Sequence, residues 1–221
     1  MNVLVIGASR GIGLELVRQC RAEGHRVVAT ARSAEGLARL TDLGATALTL
    51  DATEAASCAA LAWSIDGETF DQVWLVAGIY GPRSSGLVAP AAAEFDAVMH
   101  TNVLAAMRLL PVVGEHLAPG GRLAVLSSRM GSIGERSASG GWLYRASKAA
   151  LNSVLKDAAL AFAGRAVCIA LHPGWVRTDM GGSGADLAVE RSVANLRATV
   201  AASTPAANGS FLNHDGAPIA W

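Results

Sequence analysis

The stretch that decides the fold is Asn2–Leu16, which reads NVLVIGASRGIGLEL. Its first part, Val3–Ile6, is an unbroken aliphatic run, which is typical of a strand buried on both faces. After the glycines the spacing changes, and Ile12, Leu16 and Cys20 fall on one face of a helix. The stretch therefore predicts a buried strand, a tight turn and a helix.

The turn itself is Gly7–Gly13, GASRGIG, with its glycines spaced as G-x-x-x-G-x-G. A glycine-rich turn into a helix N-terminus directs backbone N–H groups and the positive end of the helix dipole at one point, which suits a phosphate. The spacing differs from the more common G-x-G-x-x-G dinucleotide fingerprint, although the physics is shared. The alternative is a tight turn that needs its glycines for geometry alone.

Composition sets the outer limits. The 221 residues suit one α/β domain spanning 1–221, and 52% hydrophobic against 16% charged residues indicates a compact core. Lys+Arg and Asp+Glu balance at 18 each, so the charge predicts binding neither to nucleic acid nor to an anionic membrane. The longest apolar runs are strand-sized, which predicts no membrane span.

The three cysteines, Cys20, Cys58 and Cys168, are scattered and form no C-x-x-C pair. They are interpreted as reduced, buried thiols, neither a disulfide framework nor a metal site. With the glycine turn at the beginning of the chain and no targeting segment before it, this pattern predicts a cytoplasmic protein.

Strand-like and helical runs alternate along the chain. The strands are predicted at Val3–Ile6, Arg26–Thr30, Ala45–Leu50, Gln72–Ala77, Arg122–Ser127, Ala166–Leu171 and Ser210–Leu212. The helices are predicted at Gly11–Glu23, Glu35–Leu43, Glu54–Ser64, Pro90–Leu117, Trp142–Ala163 and Leu187–Val200. This alternation predicts an α/β fold: a single doubly wound Rossmann domain whose mostly parallel sheet of about seven strands is flanked by helices. Ligands in such a sheet bind beyond the carboxyl ends of the strands.

The residues after the second strand indicate which dinucleotide would bind. An acidic residue there would bind the adenosine ribose hydroxyls, but the sequence is Ala29–Arg32, ATAR. Arg32 and Arg10 could instead hold a 2′-phosphate through charge-assisted hydrogen bonds. The pattern favours NADP(H) over NAD(H). The alternative is a pair of solvated surface arginines.

Three further positions follow strands or interrupt a helix. Asp51 could accept a hydrogen bond from an adenine amino group, or cap the next helix together with Thr53. The small pair Ala77–Gly78 would let the backbone approach a flat ligand closely. Asn102 lies within an apolar helical run, where an amide indicates a solvent-facing position, a local kink or a polar contact beside the site.

The candidate chemistry lies between Ser127 and Lys148. Ser128 follows the fifth strand, and Tyr144 and Lys148 are four residues apart, so they share a helix face. An ammonium near a phenol lowers the phenol pKa from its ordinary value of about 10 toward the range useful for proton transfer. A serine hydroxyl can hold the substrate oxygen. The alternative is an ordinary surface Y-x-x-x-K pair.

Taken in order, these motifs resemble the short-chain dehydrogenase/reductase family. The resemblance covers nearly the whole chain and rests on Gly7–Gly13, Asp51, Asn102, Ser128, Tyr144–Lys148 (YRASK) and Pro173–Thr178 (PGWVRT). The ending, GSF at Gly209–Phe211 and DGAPIAW at Asp215–Trp221, is similar to that of the small C-factor and sniffer-like branch.

The resemblance implies a role for each motif residue. Tyr144 would be the proton donor or acceptor, Ser128 would orient the substrate carbonyl, Lys148 would lower the Tyr144 pKa and bind the nicotinamide ribose, and Asn102 would complete a tetrad through a water. Pro173–Thr178 would flank the nicotinamide, with Thr178 near its carboxamide or the pyrophosphate. The implied cofactor-binding residues are Gly7, Ser9, Arg10, Gly11, Ile12, Gly13, Arg32, Asp51, Ala52, Ala77, Gly78, Tyr144, Lys148, Pro173, Gly174, Val176 and Thr178.

One position departs from the family pattern. The family usually carries Asn-Asn-Ala-Gly where this chain has Leu75-Val76-Ala77-Gly78, so Val76 must leave the usual asparagine hydrogen bonds between strands to backbone or water. The proposed catalytic residues are unaffected.

Two hypotheses about function follow. The first is an NADP(H)-dependent oxidoreductase acting on a small carbonyl or alcohol, and the second is a cofactor-binding signalling or regulatory protein with vestigial catalysis. The resemblance also implies a homodimer or homotetramer built through the two long helices. Trp142 and Trp175 could line an apolar substrate cleft or be core or subunit-contact residues, and His172 is interpreted as a hydrogen-bonded structural residue.

Overall fold

The computed structural model describes residues 1–83 and 86–221. Across these residues the strands form one fully parallel sheet in the order β3-β2-β1-β4-β5-β6-β7. The strands are β1 (Asn2–Ile6), β2 (Arg26–Ala31), β3 (Thr46–Thr49), β4 (Phe70–Leu75), β5 (Leu117–Leu126), β6 (Ala166–His172) and β7 (Ser210–Asn213). The order reverses between β1 and β4, as in a doubly wound fold, and the predicted fold class is confirmed.

Helices connect successive strands and cover both faces of the sheet. They are α1 (Gly11–Ala22), α2 (Ala34–Asp42), α3 (Ala55–Ser64), α4 (Ala92–Met99), α5 (Ala105–Glu115), α6 (Trp142–Ala161) and α7 (Val189–Ala202). A five-residue π-helix, His100–Leu104, joins α4 to α5 without a break. Short 3₁₀ turns lie at Arg129–Gly131 and Pro205–Ala207.

Two apolar clusters form the core, one on each face of the sheet. Successive side chains of a strand point to opposite faces, so Val5 of β1 belongs to the cluster under α1 and α7, whereas Leu4 belongs to the cluster under α3, α5 and α6. Both side chains are fully buried, each contributing about 1.5–3 kcal/mol relative to exposure. The uninterrupted aliphatic run is thus explained by burial on both sides.

The end of β4 differs from the prediction that the strand extends to Ala77. The Ile6 carbonyl accepts from both the Val76 N–H at 2.9 Å and the Ala77 N–H at 3.1 Å, so the chain leaves the regular ladder after Leu75. These backbone bonds join β1 to β4 at the position of the missing asparagine. The expectation that backbone bonds compensate for Val76 is met here.

One long helical segment corrects the expectation drawn from apolar run lengths. Ala92–Glu115, comprising α4, the π-helix and α5, is long and apolar enough by length and composition to cross a membrane, and half of it is buried inside the protein. Leu109 and Val113 of α5 lie in the core cluster beside α3 and α6. Core helices of globular proteins pass the same length and composition test.

The three cysteines are free in the structure, and their predicted burial is confirmed. Burial raises the pKa of all three, that of Cys168 to about 12, so these thiols are protonated and unreactive at neutral pH.

Candidate active site

The glycine turn is shaped by close backbone approach. Gly7 has φ +88°, and a Cβ built on it would lie 2.6 Å from the Ala77 nitrogen. A Cβ on Gly13 would lie 2.4 Å from the Gly7 carbonyl oxygen. The two glycines therefore let β1, the turn and α1 fold against the end of β4, and the turn opens into a cleft.

That cleft is a cavity of about 550 Å³ beyond the carboxyl ends of β1, β2, β3 and β4. The predicted cofactor-binding residues that line it are Gly7, Ser9, Arg10, Gly11, Ile12, Gly13, Arg32, Asp51, Ala52, Ala77, Gly78 and Thr178. The lining also includes residues that the sequence did not single out, among them Ser33, Arg39, Ile79, Thr101, Asp179 and Met180. The glycine turn, the edges of two strands and the segment after Val176 thus share one groove.

Three arginines line the groove, and each is paired with a carboxylate. Arg10 Nη1 lies 2.8 Å from Asp179 Oδ2, and Arg32 Nη1 lies 3.7 Å from Asp51 Oδ2. Arg39 Nη1 pairs with Glu35 Oε1 at 2.8 Å, and its buried Nε has no partner among the described residues. Such exposed pairs contribute at most about 1 kcal/mol each. An anionic ligand can therefore displace these partners at low cost.

Asp51 does not cap α3, as one of the two alternatives had it, but holds a turn with Thr53 just ahead of that helix. Its Oδ1 accepts from the Thr53 N–H at 2.9 Å and from the Thr53 hydroxyl at 2.6 Å. These bonds, opposed by desolvation and helped by Arg32, hold the pKa of Asp51 below its ordinary value. They form a turn just ahead of α3, whose cap residue is Glu54, so Asp51 supports the helix entrance while its other oxygen stays at the groove.

Asn102 lies in the π-helix, which turns its side chain into the protein. Asn102 Oδ1 accepts from the Ile79 N–H at 2.8 Å, and Nδ2 donates to the Ile79 carbonyl at 2.8 Å and to Ser147 Oγ at 2.9 Å. A solvent-facing position is excluded because Asn102 is buried. The local kink and the polar contact beside the site both describe what the structure shows. Asn102 ties the segment after β4 to α6. π-Helical insertions occur often at functional sites.

Lys148 reaches the same place from α6. Its Nζ donates to the Leu126 carbonyl at 2.9 Å, and a Cβ on Gly78 would lie 3.3 Å from Nζ and 3.2 Å from Asn102 Oδ1. The absence of a side chain at Gly78 therefore makes room for both groups at the edge of the groove. Full burial lowers the pKa of Lys148 to about 8.

Tyr144 lies one helical turn before Lys148 and is nearly buried. Burial raises its pKa to about 12, while the Ser128 side chain, close enough to hydrogen-bond, acts in the opposite direction. The sequence expectation that Lys148 lowers the Tyr144 pKa is not met by this arrangement, because the loss of hydration outweighs other influences. Tyr144 is therefore a phenol, not a phenolate, at neutral pH.

The segment after β6 closes the other side of the groove. The Pro173 carbonyl accepts from Ser192 Oγ at 2.6 Å, and Val176 forms a parallel bridge with Leu187. The Thr178 methyl would lie 3.4 Å from a Cβ on Gly11, so Thr178 adjoins the glycine turn. Pro173, Gly174 and Val176 do not line the groove, whereas Thr178 does.

His172 is a partly buried, neutral imidazole. Burial, with Arg129 and His214 nearby, lowers its pKa to about 4. Its Nδ1 has no hydrogen-bond partner among the described residues. The hydrogen bond expected of a structural histidine is therefore not found at this atom.

The two tryptophans considered for the substrate cleft both anchor loops. Trp142 Nε1 donates to the Val88 carbonyl at 3.0 Å, and Trp175 Nε1 donates to the Gly181 carbonyl at 2.9 Å. Trp175 is 55% exposed, which excludes a core position for it. Neither side chain lines the groove.

A dinucleotide fits the groove on the chain's own features. The glycines leave a cradle that a Cβ would fill, the N-terminus of α1 faces it, and arginines stand at one end. At the other end lies Gly78, with the buried Lys148 Nζ beside it. Tyr144 and Lys148 were predicted to bind the cofactor but do not themselves line the groove. The groove thus runs from the glycine turn to the neighbourhood of the buried Lys148 ammonium.

Comparison with known proteins identifies the family. The short chain dehydrogenase family model matches residues 1–186. The chain belongs to this family. It is therefore an oxidoreductase acting on CH–OH or C=O groups, and the recognition made from the motifs is confirmed.

Three relatives show the range of similarity. The 1-hydroxy-2-glutathionyl-2-methyl-3-butene dehydrogenase of Rhodococcus sp. (strain AD45) is 30% identical over all of this chain and 99% of its own length. A short-chain dehydrogenase/reductase from Burkholderia multivorans with bound NADP is 30% identical, covers 100% and 99% of the two chains, and has a TM-score of 0.91. The carbonyl reductase Sniffer of D. melanogaster gives 30% identity, the same coverage and a TM-score of 0.89.

Proposed function

We propose that this chain is an NADP(H)-dependent carbonyl reductase in which Tyr144 transfers the proton. The observation that carries the proposal is the position of Lys148 Nζ, which lies beside Gly78 of the groove and 5.7 Å from the Tyr144 ring centroid. A phenol whose pKa is raised to about 12 is fully protonated at neutral pH, which suits a proton donor to a carbonyl oxygen. We propose carbonyl reduction, the direction in which the phenol donates its proton.

The residues around the phenol have separate tasks in this proposal. Ser128 holds the substrate oxygen beside the Tyr144 hydroxyl, where a preorganised donor stabilises the charge that develops on that oxygen. Lys148, held by the Leu126 carbonyl, is a buried cation that favours the phenolate once the proton has left. Asn102 fixes the backbone at Ile79 and the turn of α6 that carries Tyr144. When bound, the nicotinamide supplies the hydride.

We further propose that the cofactor is NADP(H) in preference to NAD(H). Arg10, Arg32 and Arg39 border the groove, and no acid occupies the end of β2. Each arginine can exchange a weak, exposed carboxylate partner for a 2′-phosphate that accepts several charge-assisted hydrogen bonds. The NADP found in the Burkholderia multivorans relative supports the same preference.

Two measurements test the function. The first is a fluorescence titration of the purified chain with NADPH and with NADH, where the proposal expects a clearly lower Kd for NADPH. The second is NADPH oxidation over a panel of ketones, aldehydes and quinones, where at least one class must be turned over. Tight NADPH binding without turnover of any class would reject the reductase and favour a cofactor-binding regulatory protein instead.

We also propose that the active form is a dimer or tetramer built through the helical segment Ala92–Glu115 and through α6. Large apolar side chains are exposed on them, with Phe95 46%, Met107 52% and Leu160 67% exposed. Burial of such a patch in an interface would be favourable. Sedimentation velocity is expected to give a dimer or tetramer, and a monomer at all concentrations tested would refute the assembly.

A further inference from the structure

The chain contains two tyrosines, and the structure stacks them on each other. The Tyr80 and Tyr144 ring centroids are 4.6 Å apart, with 24° between the ring planes. Tyr80 follows Ile79, whose N–H and carbonyl are both bound by the Asn102 amide. The backbone beside Tyr80 is therefore fixed by the same side chain that ties it to α6.

The room for Tyr80 is provided by a glycine. Gly141 precedes α6 with φ +67°, and a Cβ built on it would lie 2.5 Å from the Tyr80 hydroxyl oxygen and 3.1 Å from the Met130 methyl carbon. Any side chain at position 141 would displace Tyr80. The entrance of the helix that carries Tyr144 is thus shaped around the Tyr80 hydroxyl.

Two cations contact the tyrosine pair. The Arg83 guanidinium carbon lies 5.3 Å from the Tyr80 ring centroid, and Lys148 Nζ lies 5.7 Å from the Tyr144 ring centroid. Both distances fall within the range of cation–π attraction. Arg83 Nη2 donates to the Met180 carbonyl at 3.0 Å. The guanidinium that covers the Tyr80 ring is therefore anchored on the loop that closes the groove.

We propose that Tyr80 is a positioning residue for Tyr144. Its ring covers part of the Tyr144 phenol, excludes water from it and restricts its orientation, so that the hydroxyl stays directed at the substrate oxygen beside Ser128. The inference rests on the proposed role of Tyr144 and deepens it. The polar and charged groups that face Tyr144 are Ser128 and Tyr80 and, against its ring, Lys148, with Arg83 behind Tyr80. Tyr80 does not line the cofactor groove, so its effect on cofactor binding is small.

The direct test is an ultraviolet titration of Tyr80→Phe and Tyr80→Leu in the absence of substrate. Each variant retains one tyrosine, so the phenolate absorbance reports Tyr144 alone. Phe keeps the stacked ring, and Tyr144 is expected to titrate well above pH 10. Leu removes the ring and admits water, and the pKa is expected to fall by about one unit, because hydration favours the charged form. Circular dichroism defines the pH range over which both variants are folded.

Equal Tyr144 pKa values in the two folded variants would overturn the proposal. Because this readout needs no turnover, it stands even if the reductase assignment fails. With an active substrate, Tyr80→Phe is expected to keep kcat within about twofold. Tyr80→Leu is expected to lower kcat roughly tenfold or more, because a Tyr144 hydroxyl that is not directed at the substrate oxygen transfers its proton more slowly. The Kd for NADPH should stay unchanged. A loss of kcat in Tyr80→Leu with an unchanged Tyr144 pKa in the ultraviolet titration would show a merely structural role and reject the inference.

Discussion

Asn102 gives the sharpest prediction about how the site is held together. The change Asn102→Ala removes three hydrogen bonds at once, two to the backbone of Ile79 and one to Ser147 Oγ. The Ser147 hydroxyl keeps its own bond to the Tyr144 carbonyl at 2.8 Å, so its loss is small. The Ile79 N–H and carbonyl are left without a partner beside a buried cluster.

The expected loss of stability follows from these two unpaired backbone groups of Ile79. An unsatisfied buried group costs about 1–3 kcal/mol, and Ile79 is only partly buried, so the free energy of unfolding should fall by about 2–4 kcal/mol. For a chain of this length, that corresponds to a drop in Tm of roughly 4–16 °C. Since Gly78 and Ile79 line the groove, the Kd for NADPH should rise as well.

The assay is thermal unfolding by circular dichroism together with a fluorescence titration by NADPH. Asn2→Ala is the matched control, because Asn2 Nδ2 also donates to a backbone carbonyl, that of Thr69 at 3.1 Å, but in an exposed position. The control should lose less than about 1 kcal/mol. If the Tm of Asn102→Ala lies within about 1 °C of the wild-type Tm and the variant binds NADPH equally well, the amide does not hold this segment and the prediction is wrong.

Three other changes probe separate parts of the site. Arg32→Glu should raise the Kd for NADPH about 10–100-fold and change the Kd for NADH little, since one or more charge-assisted hydrogen bonds of about 1.5–3 kcal/mol are lost. An equal rise in Kd for both cofactors would contradict binding of the 2′-phosphate by Arg32. Gly13→Ala should abolish cofactor binding and lower stability by about 1–3 kcal/mol, because its Cβ would lie 2.4 Å from the Gly7 carbonyl; wild-type titration and unfolding curves would refute the close approach. Lys148→Met should remove turnover yet raise stability near pH 7 by about 1–3 kcal/mol. Burial lowers the Lys148 pKa from 10.5 to about 8, so between these pH values the unfolded wild type binds more protons than the folded one, and wild-type stability rises with pH. The difference in the free energy of unfolding between variant and wild type should therefore vanish by about pH 10.5. A difference that stays constant with pH would contradict the buried cation.

Much of the fold was predictable because it depends on short-range periodicity. The apolar run at Val3–Ile6, its counterparts in the other strands and the helical spacing between them record which side chains are buried, and burial is the largest favourable contribution to folding. The glycine turn was readable for the same reason, since Gly7 and Gly13 are required by local steric contact.

Features that depend on contacts between distant segments could not be read in this way. Arg10 pairs with Asp179, and Arg39 joins the groove from α2, although nothing near them in the sequence indicates it. The π-helix at His100–Leu104 leaves the apolar pattern intact, so Asn102 alone hinted at it. The Tyr144 pKa was predicted in the wrong direction because the spacing to Lys148 is visible in the sequence, whereas the loss of water around the phenol is not. Tyr80 was missed for the same reason: only the folded chain brings it onto Tyr144.

In the proposed reaction the Tyr144 hydroxyl transfers the proton. Tyr144→Phe removes that hydroxyl and keeps the ring that stacks on Tyr80, so the fold and the groove should be unchanged. The decisive measurement is kcat/KM for NADPH-dependent carbonyl reduction beside the Kd for NADPH. We expect kcat/KM to fall by about 10²–10⁴-fold with a nearly unchanged Kd. A variant that binds NADPH and still reduces the carbonyl at close to the wild-type rate would contradict it.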